Sequence, residues 1–139
     1  MAFHPYLFFG GDCREAFTRY QEIFGGELVL LTMKDMPSDE PVPAGQADLI
    51  MHAALMSDGQ LLMASDDPTT DDFGPVQGMQ VNCTVTDVAE AERVFNALAD
   101  GGQVTMPIAE TSWSPMFGMC IDRFGTPWMV STDAPAEAS

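Results

Sequence analysis

One stretch of the chain occurs twice, and this repeat constrains the fold more than any other feature. Residues 12–26 read DCREAFTRYQEIFGG, and residues 87–102 read DVAEAERVFNALADGG. The aligned positions are Asp12 with Asp87, Glu15 with Glu90, Ala16 with Ala91 and Tyr20 with Phe95, followed by the two Gly pairs. Internal similarity of this kind is typical of a repeated structural unit. We therefore predict two modules of similar construction.

Each copy has the features of an amphipathic helix. The opening Asp can accept a hydrogen bond from a free amide of the first turn, and the Glu three residues later can reach back to the Asp amide. Apolar residues follow at helical spacing, which predicts one buried stripe on each helix. A Gly pair ends each copy and allows backbone geometry that other residues resist.

The segments around the helices predict strands, because apolar runs there are bounded by Gly, Pro and Asp. Both halves follow the order strand, helix, strand, strand, strand. The predicted strands are residues 3–9, 27–33, 47–56 and 61–65 in the first half, and 79–86, 103–108, 116–121 and 128–131 in the second. The predicted fold class is therefore α+β, with two βαβββ modules.

These elements predict one domain over residues 1–134, made of a first module at 1–66 and a second at 78–133. Residues 67–77 are acidic and contain Pro and Gly, which is typical of a linker between modules. The tail at 135–139 has nothing to bury and is predicted to be flexible.

The charge balance argues against several partners. The chain has 21 acidic and 5 basic residues, for a formal net charge of −16. Such a protein repels phosphate backbones and anionic membranes, so we expect no nucleic-acid or membrane partner. The 3 cysteines lack CxxC spacing, which indicates neither a disulfide framework nor a zinc site. The first residues lack the features of an export signal or a membrane span, so we expect a cytoplasmic protein.

Several ordered motifs resemble one known family. PYLFFGGDCREAFTRYQEIFGG, MHAAL, LLMASD and ETSWSPMFGMCIDRFGTPWMV are similar to the PhnB-like branch of the vicinal oxygen chelate superfamily, which includes glyoxalases, bleomycin-resistance proteins and extradiol dioxygenases. This branch also carries the label 3-demethylubiquinone 3-methyltransferase-like. The resemblance covers nearly the whole chain. It implies paired half-barrels around a ligand cleft, a small-molecule ligand and a homodimer, and it leaves open whether the half-barrels pair within one chain or between two.

The resemblance also identifies the positions where metal-dependent relatives place their ligands. These positions correspond to Pro5, Met63, Gln80 and Met129. Proline has no donor atom, and thioether sulfur is a poor partner for hard or borderline divalent metals. We therefore predict a metal-free protein without a cofactor, in which Met63, Gln80 and Met129 contact the ligand. The alternative is a metal-dependent lyase, isomerase or dioxygenase of the same superfamily.

Two residues are candidates for metal-free catalysis. Alternation along residues 47–56 places His52 on one face with Ile50, Ala54 and Met56. A two-residue turn at Asp58-Gly59 would put His52 opposite Ser65 and on the same face as Met63, whereas a one-residue change in register would bring Asp66 alongside His52. Imidazoles exchange protons near neutral pH, so His52 is a candidate general base, and Asp66 could orient it or bind a cationic substrate. A single His is more often structural, and an Asp before Asp67-Pro68 is equally a turn former.

The loop before residue 116 supplies two further candidates for the ligand site. Glu110 and Trp113 have no obvious packing role, and Trp offers a flat apolar wall to a small ligand. Trp128 alternates with Met129, which predicts a core position, and Cys120 has no neighbour in sequence that would activate its thiol.

The sequence gives no support to the methyltransferase label, because no Gly-rich turn joins a strand to a helix in a doubly wound pattern. Residues 35–46 hold three prolines and predict a loop that could be a lid or only a connection. The residues identify neither the ligand nor a reaction.

Overall fold

The computed structural model describes residues 1–35, 41–43, 45–69 and 76–133. Most of the predicted 35–46 loop, part of the 67–77 segment and the whole 135–139 tail lie outside these residues. The chain divides into two compact units, Met1–Phe73 and Gly74–Ser139. The division falls inside the segment predicted to join the modules.

The first unit has one helix and one four-stranded sheet. In chain order its elements are β1 (Tyr6–Phe9), α1 (Cys13–Phe24), β2 (Glu27–Thr32), β3 (Ile50–Ser57) and β4 (Gln60–Asp66), with a short 3-10 turn at Met33–Asp35 after β2. The strand order is β1-β4-β3-β2, with β1 and β4 parallel and the other pairs antiparallel. The turn at Asp58-Gly59 joins β3 to β4, as the sequence predicts.

The second unit repeats this arrangement. Its elements are β5 (Val81–Val85), α2 (Val88–Ala99), β6 (Gln103–Ala109), β7 (Phe117–Ile121) and β8 (Pro127–Thr132). The strand order is β5-β8-β7-β6, again with the first and last strands of the unit parallel. The α+β fold of two βαβββ modules is therefore confirmed.

Each helix covers one face of its own sheet. In the first unit α1 buries Ala16, Phe17, Tyr20 and Ile23, and the sheet buries Leu7, Phe9, Ala53, Leu55 and Ala64. In the second unit α2 buries Ala91, Val94, Phe95 and Leu98, and the sheet buries Cys120, Trp128 and Val130. Burial of each large apolar side chain stabilises the fold by about 1.5–3 kcal/mol. The stripe on α2 is the one that the helical spacing predicts, whereas on α1 the spacing predicts Phe24, which is only half-buried, and misses the buried Phe17.

The two helix starts differ from each other. The Asp87 carboxylate accepts a hydrogen bond from the Glu90 amide at 2.8 Å, as predicted. The prediction for Asp12 is wrong, because its side chain makes no capping hydrogen bond. The first-turn amide of Cys13 instead donates to Asp66 at the end of β4, at 3.0 Å. A carboxylate distant in sequence thus replaces the local cap.

The second glycine of each pair lies against a neighbouring strand. A Cβ atom at Gly26 would be 2.1 Å from the backbone oxygen of Met56, and one at Gly102 would be 2.1 Å from that of Ile121. Both distances are far below van der Waals contact. The repeated glycine therefore allows each helix exit to approach the third strand of its unit closely.

Candidate functional site

In the first sheet α1 covers one face, and no helix among the described residues covers the other. We call the second of these the first open face, and it carries Tyr6, Phe8, Val29, Leu31, His52, Ala54 and Met63. The strand register supports this grouping, because Tyr6 and Ala54 both pair with Met63, and Leu31 pairs with His52. Phe8 is 57% exposed and Val29 is 51% exposed. Large apolar side chains are thus accessible on this face.

His52 lies in the apolar surroundings of this face and hydrogen-bonds to Tyr6. The Tyr6 Oη and His52 Nδ1 atoms are 3.2 Å apart, and the two ring centroids are 5.8 Å apart. The Phe8 ring lies 5.3 Å from the Tyr6 ring. The expected placement of His52 beside Met63 is confirmed by the strand register. Tyr6 was missed by the sequence analysis, because its proximity to His52 depends on the pairing of β1 with β4.

The structure does not bring the candidate pair His52 and Asp66 together. Asp66 is 6% exposed, and its Oδ1 atom accepts from the amides of Gly11 and Cys13, both at 3.0 Å. Its Oδ2 atom accepts from the Ile50 amide at 2.8 Å. Both carboxylate oxygens therefore hold backbone amides. This geometry gives Asp66 a structural role, connecting β4 to the start of α1 and the start of β3.

The second sheet also has a face without a helix in the part of the chain that the structure describes. We call it the second open face, and it carries Asn82, Thr84, Phe117, Met119, Met129 and Ser131. Met119 pairs directly with Met129 across β7 and β8, and the side-chain amide of Gln80 donates to the Met119 sulfur at 3.3 Å. The structure therefore brings two of the predicted ligand-binding residues, Gln80 and Met129, to one cluster.

Three polar side chains on the second open face form a closed ring of hydrogen bonds. The Asn82 amide donates to Thr84 Oγ1 at 3.1 Å, Thr84 Oγ1 is 3.3 Å from Ser131 Oγ, and Ser131 Oγ donates to Asn82 Oδ1 at 3.4 Å. The sequence analysis missed these residues. Asn82 and Thr84 alternate with the apolar Val81 and Cys83, a signal that could have identified them.

Trp113 extends the apolar part of this region, whereas Glu110 is simply exposed. The Trp113 side chain is 60% exposed and meets the Phe117 ring edge to face, with centroids 5.5 Å apart. The loop itself is held by buried Ser114, whose hydroxyl lies 2.6 Å from the carbonyl oxygens of Met116 and Thr132. The polar residues of this loop therefore include a structural anchor that its sequence did not reveal.

Trp128 and Cys120, which the sequence analysis considered, have structural roles, and so does Arg123 in the turn after β7. Trp128 is buried as predicted, and its indole N–H donates to Asp122 at 2.8 Å. Cys120 is buried against α2, and burial, with a smaller contribution from the Asp122 charge, raises the pKa of its thiol to about 11. Arg123 pairs with Asp100 at 3.1 Å. These side chains support the fold and are not placed on an open face.

Side chains that could bind a metal ion are scattered in the part of the chain that the structure describes. Within the described ranges, no three His, Cys, Asp or Glu side chains are grouped so that they could hold a metal ion. Pro5 offers only its backbone oxygen, which accepts from the Met63 amide at 3.2 Å. The same residues include no helix that is long and apolar enough to cross a membrane.

Three relatives align with almost the entire chain. Protein YjdN of Escherichia coli K12 is 33% identical over 94% of this chain and 95% of its own. The crystal structure of protein PA1353 from Pseudomonas aeruginosa is 44% identical, has a TM-score of 0.85, and the match covers 96% of this chain and 98% of that one. A PhnB protein from Bacillus cereus is 26% identical, with a TM-score of 0.77 and coverage of 95% and 99%.

The fold likeness extends to more distant proteins. A glyoxalase/bleomycin resistance protein/dioxygenase family enzyme from Burkholderia phytofirmans has a TM-score of 0.65 at 12% identity, over 94% of this chain and 97% of that one. The model of the family described as 3-demethylubiquinone-9 3-methyltransferase matches residues 1–131. The family match shows that the chain belongs to this PhnB-like family, and the more distant structures share its duplicated βαβββ fold.

Proposed function

We propose that this protein binds a small organic ligand on its open faces and holds no catalytic metal there. The observation that carries the proposal is the Tyr6–His52 pair within the accessible apolar residues of the first open face. Ligand sites typically combine an apolar lining with a few polar groups that orient the ligand. Contiguous exposed apolar patches of this kind mark binding surfaces.

The Tyr6–His52 pair can serve as the polar anchor of such a site in either tautomer. If Tyr6 donates to Nδ1, the imidazole presents an N–H at Nε2, and the phenol oxygen keeps an acceptor lone pair. If Nδ1 donates to Tyr6, the phenol O–H is free to donate, and Nε2 becomes an acceptor. The pair therefore offers one donor and one acceptor in both states. A ligand with a carbonyl, hydroxyl or amine group would be held by it.

The remaining predicted contacts have separate roles in this proposal. Met63 adds an adaptable apolar surface beside His52, because its thioether side chain can adjust to different shapes. Gln80, Met129 and Trp113 supply a polar group, an apolar surface and an aromatic wall on or next to the second open face. Glu110 is accessible and would attract cationic groups.

The metal-free part of the proposal is supported by the chemistry of the side chains. Methionine occupies two of the positions where metal-dependent relatives carry ligands, and hard or borderline divalent ions bind thioethers weakly. The competing function, a metal-dependent lyase, isomerase or dioxygenase, requires stoichiometric binding of a divalent ion. Elemental analysis of the purified protein and calorimetric titration with Zn²⁺, Ni²⁺ and Mn²⁺ test this, and uptake of one ion per chain would refute the metal-free proposal.

A thermal-shift screen of uncharged and cationic aromatic compounds tests the proposed binding. A ligand that binds the folded state raises the melting temperature, and the stabilisation grows with the logarithm of its concentration once that exceeds Kd. The chain has only 2 histidines, so ring resonances of His52 and His4 can both be followed by NMR during titration. We expect a ligand of the first open face to shift the His52 signals and leave those of exposed His4 in place.

Two substitutions and one control link such a ligand to the anchor. His52→Phe and Tyr6→Phe each remove one partner of the hydrogen bond, and either change should weaken binding by about tenfold. His4→Phe makes the same chemical change at an exposed position before β1 and should leave affinity within about twofold. Equal affinities of all three variants would exclude the pair as the anchor.

A metal-free enzyme is the second candidate. The hydrogen bond between Tyr6 and His52 Nδ1 favours it, because this bond fixes the orientation of the imidazole ring. A ring held at Nδ1 can exchange a proton with a ligand at Nε2. NMR spectra recorded over time on each ligand found in the screen would reveal conversion. Loss of turnover in His52→Gln with binding retained would support catalysis, whereas conversion unaffected by this change would refute the role of His52.

Two wider expectations complete the proposal. Homodimerisation, which the family resemblance implies, is supported by the exposed Val29 and Leu31 on edge strand β2, and light scattering after gel filtration would measure the mass. A cytoplasmic location is supported by the three free cysteines, and cell fractionation would test it.

A further inference from the structure

The Asn82–Thr84–Ser131 ring has an internal order that fixes which groups remain available. Ser131 donates its proton to Asn82 Oδ1, so Thr84 must be the donor in the contact between the two hydroxyls. The Asn82 amide donates one of its protons to Thr84. Both hydroxyl protons are therefore used inside the ring. What remains is one Asn82 N–H and a set of acceptor lone pairs on three oxygens.

The charges around the ring favour a positively charged partner, which can donate to the available acceptor oxygens. None of the residues that define the second open face is charged. The nearby helix and turn arginines of this unit are engaged with carboxylates, Arg93 with Glu90 and Arg123 with Asp100. The formal net charge of −16 adds a field that repels anions and attracts cations. Acceptor oxygens in such a field suit a donor that carries a positive charge.

The neighbours of the ring provide an apolar surface. Ser131 pairs directly with Phe117, and Met119 with Met129 is the next pair of the two strands on this face. Trp113 packs on Phe117 from the loop before β7 and is largely exposed. Thioethers and aromatic rings make favourable contacts with aromatic ligands, and an indole face attracts cations.

We infer that the second open face is an amine subsite, in which the Asn82–Thr84–Ser131 ring accepts hydrogen bonds from a protonated amine whose aromatic body packs on Met119 and Met129. This inference rests on the proposed small-molecule binding and names the ligand class for this face. Asn82, Thr84 and Ser131 are its specificity-determining residues.

Three probes that share a phenyl group distinguish the contribution of the amine to binding from that of the phenyl group. Phenylethylamine is a cation at neutral pH, phenylethanol is neutral, and phenylpropionate is an anion. Each is titrated into nitrogen-15 and methyl-methionine labelled protein, with the Asn82 side-chain amide and the Met119 and Met129 methyl groups as reporters. We expect saturable shifts with phenylethylamine, about tenfold weaker binding of phenylethanol, and no saturable shift with phenylpropionate.

Conservative substitutions assign the effect to the ring. Thr84→Val keeps the shape and the β-branched character of the side chain but removes the hydroxyl, and Ser131→Ala removes the other. Each should weaken phenylethylamine binding by about tenfold while phenylethanol binding changes less. Thr105→Val is the matched control, since Thr105 is an exposed residue of edge strand β6 outside the ring, and it should leave both affinities unchanged. Circular dichroism confirms that each variant is folded.

The possible outcomes separate this inference from the proposal on which it rests. Binding of phenylethanol or phenylpropionate at least as tight as that of phenylethylamine would overturn the amine subsite, yet small-molecule binding would stand. Phenylethylamine binding that neither Thr84→Val nor Ser131→Ala weakens would also overturn it. If no probe shifts the reporters, the amine subsite is refuted, and the screen followed at His52 decides the wider proposal.

Discussion

Asp66 connects three parts of the first unit through one buried carboxylate. Its two oxygens accept from Gly11 before α1, from Cys13 in the first turn of α1 and from Ile50 at the start of β3. Hydrogen bonds to a charged group are stronger than neutral ones, and a buried amide that loses its partner is costly. Asp66 therefore replaces a local helix cap at the start of α1 and also holds the start of β3.

Removing this carboxylate should destabilise the protein severely. We expect Asp66→Ala to lower the free energy of unfolding by about 4 kcal/mol, because three backbone amides lose their acceptor, two of them in buried hydrogen bonds, and Asp66→Asn by about 2 kcal/mol. Asp67→Asn, at the neighbouring half-exposed position, should cost less than about 1 kcal/mol. Urea denaturation measures all three. An Asp66→Ala variant that is as stable as the wild type but loses ligand affinity would instead place Asp66 in the binding site.

The thiols should be unreactive in the folded protein. Cys13 and Cys120 are fully buried, and burial raises the pKa of both thiols, for Cys120 to about 11. The thiolate is the reacting species, so we expect both thiols to resist the thiol reagent dithiobis(nitrobenzoate) at mildly alkaline pH. Half-buried Cys83 should react first. All three should react at once in concentrated guanidinium. Rapid modification of Cys120 in the native protein would contradict its buried position.

The raised pKa of Cys120 predicts how the stability of the fold changes with pH. Because folding raises the pKa of Cys120, its ionisation favours the unfolded chain. The stability that depends on the neutral thiol is therefore complete below the ordinary thiol pKa of 9.0 and is lost as the pH rises towards about 11. Melting temperatures should fall over this range by less in Cys120→Ala than in the wild type, and parallel curves would show that the thiol does not contribute.

At the scale of elements, the glycine repeat predicts where side chains are not tolerated. Gly102 is not in the left-handed region but lies against the Ile121 carbonyl, whereas Gly59 has a φ of +76° and open space around it. Gly102→Ala should therefore cost about 3 kcal/mol through a backbone clash, and Gly59→Ala about 1 kcal/mol through conformational strain. Urea denaturation gives both values. Equal costs would mean that the close approach at Gly102 is not needed.

Local patterns predicted the elements, but contacts between strands decided the site. The helices, the turn at Asp58-Gly59 and the buried Trp128 follow from spacing and turn chemistry, which are local. The face assigned to Ile50 is wrong: an irregularity in the pairing of β2 with β3 breaks the alternation, and Ile50 is buried with 1% exposure. The Tyr6–His52 pair depends on the strand order β1-β4-β3, which alternation within one strand does not contain.

The helix caps show the same limit within one repeat. Asp12 and Asp87 occupy equivalent positions, and the same residue type should cap both helices equally well, yet only the Asp87 side chain makes a capping hydrogen bond. The difference arises from Asp66, whose counterpart at the end of β8 is Thr132. Thr132 Oγ1 accepts from the Met116 amide at 3.0 Å, much as Asp66 accepts from Ile50. Only the pairing of distant strands determines which residue caps α1.

At the scale of the whole molecule, the excess of acidic residues should make stability depend on salt. The 21 acidic residues face only 5 basic ones, and the ion pairs seen in the described residues are exposed, such as Lys34 with Asp48. Exposed pairs contribute little, so repulsion between carboxylates dominates the electrostatics. We expect the melting temperature to rise from low to physiological ionic strength, as added NaCl screens this repulsion. A melting temperature that falls with salt would mean that attractive pairs dominate.

Methyl NMR of the methionines during ligand titration tests the central claim most directly, because the chain carries 11 of them. We predict that a bound small molecule shifts Met63 on the first open face or Met119 and Met129 on the second, while exposed Met1 and Met79 stay in place, and that Zn²⁺ and Mn²⁺ produce no stoichiometric change. Saturable perturbation of Met63, Met119 or Met129 by one divalent ion per chain would contradict the account.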